Sequence, residues 1–193
     1  MRFKYALAAL LVASTWTMGE EATNDTLITA LVGDQNPGVA AAAAAELRSK
    51  LRSADILQAA TLQSRICQEL NATTDPVAMK RIAHVLAVAP NAEALQIGLS
   101  RLDPGLPVQT RVAACEVIAR VAGARSPSDT AMAVEHLGRV LKEQDAPGDL
   151  IDGALLALAG LGPDGLDAML KIRSSTASVR EKSNVFYSAL AQT

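Results

Sequence analysis

The sequence predicts an all-α protein built from about five stacked helical hairpins. Three observations carry this: apolar residues recur at helical spacing, prolines recur where new helices should begin, and small residues stand at fixed offsets behind those prolines. No segment alternates apolar and polar residues with β-branched enrichment, so no sheet is expected. With 193 residues, half of them hydrophobic, the chain is long enough to bury a core without disulfides or metal. Low net charge and abundant Ala, Leu, Val and Ile exclude intrinsic disorder.

The first elements read as an address. Arg2 and Lys4 precede an apolar run from Tyr5 to Ala13, which turns polar at Ser14 and Thr15. That is the layout of a secretory signal peptide, and the run is shorter than the roughly 20 residues of a membrane span. Residues 1–19 are therefore expected to be removed, 20–25 to form an acidic flexible lead-in, and 26–193 to form the folded domain. The expected location is secreted or periplasmic, with no stable membrane insertion after cleavage.

The partner helix of each hairpin is expected near Asp25–Val32, Asp55–Leu70, Asn91–Leu102, Ser128–Glu143 and Pro163–Ile172. In the second of these, Ile56, Ala59, Leu62, Ile66 and Leu70 follow one another at intervals of three and four and form an apolar stripe. Ser126-Pro127-Ser128-Asp129 supplies a cap, a proline at the first helical position and an acid at the third. Glu135 and Arg139 add an i,i+4 pair on the outer face.

The second helices follow Pro37, Pro76, Pro107 and Pro147. Proline is tolerated there because the first helical N–H has no intrahelical acceptor. Seven residues past each proline stands Ala44, Ala83, Ala114 or Ala154, and ten past it Leu47, Leu86, Val117 or Ala157. Small inward residues let neighbouring helices approach, and the side chain one turn later fills the gap between layers. A diverged fifth copy fits if Thr176 takes the proline's place, with Val179, Ser183, Phe186 and Leu190 inward.

PVQTRVAACEVI from Pro107 and DPVAMKRIAHVL from Asp75 resemble the second helices of the HEAT-like, armadillo-type α-solenoid family. The resemblance implies a right-handed α-solenoid and, for most such proteins, a protein-binding scaffold. It also implies a basic residue early in the second helix that bonds an acid in a neighbouring turn. Lys80, Arg111 and Arg180 occupy that position, whereas Ala41 and Ile151 break the series.

Chemical motifs are scarce. His84 and His136 fit no metal-ligand spacing, and neither a phosphate loop nor a nucleophile elbow is present, so no metal, cofactor or catalytic set is expected. Asp149 with Asp152, and Asp164 with Asp167, lie near helix starts where acids complement the helix dipole. Beyond residue 19 the charge is 16 basic against 20 acidic residues, or −4, and the aromatics are Phe186 and Tyr187. Nucleic acid is not expected as a partner, because stacking platforms need rings. Cys67 and Cys115 are expected as two buried thiols. His84 and Cys115, each eight residues past its proline, are a pair that stacking of adjacent hairpins could bring close; the stronger reading makes Cys115 a small core residue with His84 bordering the same layer.

The functional expectation is a scaffold or adaptor whose second helices line a concave groove for a partner segment. Lys80, His84, Arg111, Cys115 and Arg120 are the candidate contact residues, with Glu46 and Glu116 interspersed. The alternatives are a lyase-like enzyme on the same solenoid, or a structural component of an envelope assembly.

Overall fold

The structure, a computed structural model, describes residues 23–89, 91–122 and 126–175. Among these residues there are nine α-helices and no strand: α1 (Asn24–Gly33), α2 (Pro37–Ser53), α3 (Ile56–Ala72), α4 (Pro76–Leu86), α5 (Ala92–Ser100), α6 (Val108–Ala122), α7 (Pro127–Lys142), α8 (Gly148–Gly160) and α9 (Pro163–Ser175). Both members of the first four expected hairpins are present. The expected fifth copy from Thr176 lies outside the described residues, as does the segment 1–19 expected as a leader.

Local chemistry sets the helix starts. Thr23, Asn36, Asp55, Asp75, Asn91 and Ser126 each precede a helix and accept a backbone N–H of its first turn on their side-chain oxygen. Each such cap satisfies a donor the helix cannot, and is worth about 1 kcal/mol. Pro37, Pro76 and Pro127 occupy the first turn, while Pro107 and Pro147 stand one residue outside it. The cap at Thr23 brings Asn24 and Asp25, expected in the lead-in, into α1.

The helices pack in two rows. In one, α2 touches α4, α4 touches α6 and α6 touches α8; in the other, α1, α3, α5, α7 and α9 follow one another in the same way. Each helix of one row also packs on its hairpin partner in the other. The residues at the fixed offsets do what their size predicts: Ala44, Ala83, Ala114 and Ala154 are buried, and so are Leu47, Leu86, Val117 and Ala157. Leu31, Leu47, Ile66, Leu70, Leu95 and Leu137 are sealed between the rows. Each contributes roughly 1.5–3 kcal/mol by leaving water.

Two details differ from the periodic expectation. On α3 the buried stripe holds at Leu62, Ile66 and Leu70, but Ile56, in the first turn, is 87% exposed. The turn from α8 to α9 uses two glycines for different reasons. Gly162 adopts φ +76°, the left-handed conformation that ends many helices. Gly165 lies so close to α8 that a Cβ there would stand 1.9 Å from the Leu158 carbonyl oxygen.

Among the described residues no helix is long and apolar enough to cross a membrane.

Candidate functional site

Where α2, α4 and α6 lie side by side, their outer faces bound an open cleft of about 290 Å³. Its floor is α2, which offers Pro37, Ala40, Ala41 and Ala44. Pro37 and Ala41 are exposed there, while Ala40 and Ala44 are buried. The walls are charged: Lys80, Arg81 and His84 rise from α4, and Glu116 and Arg120 from α6. These positions are one turn apart on each helix, which is why they share a face.

The charges are organised by a few contacts. Glu116 is held by Arg120 of its own helix at 3.0 Å and by Lys80 across the helix boundary at 3.8 Å. Arg81 is used structurally, since its Nη1 donates to the carbonyls of Leu31 and Asp34 at 3.2 and 3.0 Å. Those carbonyls lie at the end of α1, where a cation also complements the helix dipole. Arg48, near the end of α2, reaches over and places Nη1 2.8 Å from Nε2 of His84. An arginine can only donate, so Nε2 must accept and the His84 proton must sit on Nδ1. The Nε of Arg48 is buried and makes no hydrogen bond.

Partial burial, then the charges of Arg48 and Arg120, hold the His84 pKa below its ordinary value, while Glu116 acts in the opposite sense. With His84 neutral, Arg48, Lys80, Arg81 and Arg120 give four positive charges against the single carboxylate of Glu116, or +3. A local excess of this sign stands out on a chain whose net charge is −2.

The five contact residues expected from sequence therefore separate. Lys80, His84 and Arg120 come together in the cleft. Arg111 does not face it: the residue is 4% exposed, its Nε donates to the Leu102 carbonyl at 3.0 Å, and its Nη2 meets Glu143 at 2.5 Å. Cys115 is 1% exposed and packs against Gly153 of α8, on the opposite side of α6 from the cleft residues of α4. Burial pushes its thiol up to about 12, so it is not a thiolate at neutral pH. The imidazole of His84 pairs backwards with Arg48 of α2, while the Cys115 thiol packs forwards against α8. Cys67 is likewise buried and free, with Sγ 3.2 Å from the Asn91 side-chain nitrogen.

Arg48 was not singled out from sequence. It stands eleven residues past Pro37, an offset at which the following helix has Ala87, so alignment of the repeats conceals it. A second surface depression of about 340 Å³ lies near Leu102, His136 and Glu143, where Arg139 is already paired with Glu135. Among the described residues, no group of three His, Cys, Asp or Glu side chains is arranged to hold a metal ion.

No protein-family model, curated protein or solved structure matches this chain.

Proposed function

We propose that the chain is an exported interaction scaffold, secreted or periplasmic, in which HEAT-like hairpins form a right-handed α-solenoid. Its second helices present a groove that binds a segment of a partner protein, and the cleft across α2, α4 and α6 is the centre of that groove. A single observation carries the reading: cationic side chains of α4 and α6 line a cleft beside the exposed apolar surface of Pro37 and Ala41 on α2, whose Arg48 contacts the cleft residue His84. The row-on-row packing of α2, α4, α6 and α8 supports the solenoid, because hairpins that cannot bury their apolar faces alone must stack in this order.

The experiment is site-specific photocrosslinking in the native host. A crosslinker placed at Ala41 reports on the cleft, and one placed at Gln58, on the exposed start of α3, serves as the remote control. The scaffold reading expects a defined protein adduct from position 41 that is absent from position 58 and lost in a Lys80→Glu/Arg120→Glu background. Equal adducts from both positions, or none from the cleft, remove the reading.

A further inference from the structure

We propose that the cleft is a proton-linked carboxylate site: it takes an acidic peptide segment, and protonation of His84 at Nε2 converts the Arg48–His84 contact from a closed pair into two donors for one ligand carboxylate. The inference rests on the scaffold reading and names the chemistry of its partner.

The argument begins with the donors. As it stands, Nη1 of Arg48 is committed to Nε2 of His84 at 2.8 Å. A carboxylate entering at neutral pH must compete with the imidazole for that donor. Once Nε2 carries a proton it can no longer accept, and Arg48 and His84 become like charges side by side. A carboxylate between them then receives a hydrogen bond from each, and bonds between charged groups are roughly twice as strong as neutral ones.

The charged surroundings of the ring fix the sign. On α2 it faces Arg48, and on α6 it faces Arg120 and Glu116; Lys80 lies one turn earlier on its own helix. On α1 and α3, which also pack on α4, Asp25, Arg65 and Glu69 are bonded to one another. The free cleft therefore disfavours the imidazolium, and an added anion favours it. A ligand that raises the His84 pKa must bind more tightly as pH falls through the range between the two pKa values.

The floor and the composition select the kind of anion. A site for a free inorganic ion has no use for the exposed apolar surface of Pro37 and Ala41, whereas a peptide can lay its backbone there while its side chains reach the walls. Among the described residues there is no Phe, Tyr or Trp to serve as a stacking platform for bases, which disfavours a nucleotide.

Fluorescence anisotropy of the full chain, recovered from its native host, tests this with two fluorescein-labelled decapeptides, alternating Asp with Ala and Asn with Ala. Both are followed at pH 7.5 and 5.5, a range in which Asp side chains, with a pKa of about 3.9, stay ionised. The Asp peptide is expected to bind at least tenfold more tightly than the Asn peptide, and about fivefold more tightly at pH 5.5 than at 7.5, the order of one screened charge-assisted bond. His84→Gln should erase the gain with pH, and Arg120→Gln should weaken binding at both pH values while the gain with pH persists; circular dichroism confirms that each variant is folded. Equal affinity for the two peptides, or a gain with pH that survives in His84→Gln, overturns the proposal. So does displacement of the Asp peptide by inorganic phosphate or by phosphatidylglycerol vesicles at matched charge concentration. A cleft that crosslinks a partner in the host while failing these tests leaves the scaffold reading standing and this inference fallen.

Discussion

Arg111 and Glu143 form an ion pair inside the fold, with Nη2 2.5 Å from Oε1, while Nε of the same guanidinium holds the Leu102 carbonyl at 3.0 Å. One side chain thereby ties the connection between α5 and α6 to the end of α7.

Removing that tie should be costly. Arg111→Ala leaves a buried carbonyl and a half-buried carboxylate without a partner, and because Glu143 retains access to water the expected loss is about 2–3 kcal/mol. Arg111→Lys should recover little, since an ammonium has no planar fork to serve both acceptors. Urea unfolding checks this, with a lower midpoint and an unchanged slope as the expected result.

Gly165 should tolerate no side chain. Its Cβ would overlap the Leu158 carbonyl, which is helical backbone and cannot rotate away. Gly165→Ala is expected to prise α9 from α8 and cost about 2–3 kcal/mol, at the upper end for overpacking. At Gly162, where space is open and only φ is unfavourable, Gly162→Ala should cost about 1 kcal/mol. Thermal melts of the two variants should rank in that order.

The two thiols should be chemically silent in the folded protein. Cys115 is displaced to about 12 by burial, and Cys67 is raised for the same reason, with the Asn91 hydrogen bond acting against it. A disulfide-exchange reagent at pH 8 is expected to find almost no reactive thiol in the native protein and both in denaturant. Rapid native labelling of either residue would show that it is not sealed as described.

Stability should fall slightly with acidification through His84. Its folded pKa lies below the unfolded value, so below about pH 6.5 the unfolded chain takes up the proton first. The stabilisation is fully present above that value and is lost as pH falls through the folded pKa. His84→Gln should flatten the wild-type slope in unfolding free energy between pH 7 and 5.

Helix positions were largely legible because their signals are local. A cap such as Asp75 before Pro76, or Ser126 before Pro127, needs no knowledge of the rest of the chain. The small residues at fixed offsets were legible too, since burial at Ala83 or Ala114 follows from the packing of neighbouring helices. Lys80 and Arg111 share an offset yet differ in fate. Lys80 stays at the surface, while the turn after Leu102 folds its carbonyl over Arg111 and draws it inward. His84 and Cys115 share another offset, and one is exposed while the other is buried. The cleft was half legible: its α4 and α6 cations could be read, but Arg48 enters through the stagger between α2 and α4, which no spacing along the chain encodes.

Several ties between segments end on main-chain oxygens. Arg81 reaches the carbonyls of Leu31 and Asp34, Arg101 that of Asn71, Arg111 that of Leu102, Thr110 that of Thr74, and Gln63 that of Ala89. Every residue type offers the same carbonyl, so such a tie specifies its donor and leaves the accepting position free to mutate. Repeats joined in this way can drift apart on the accepting side without loosening.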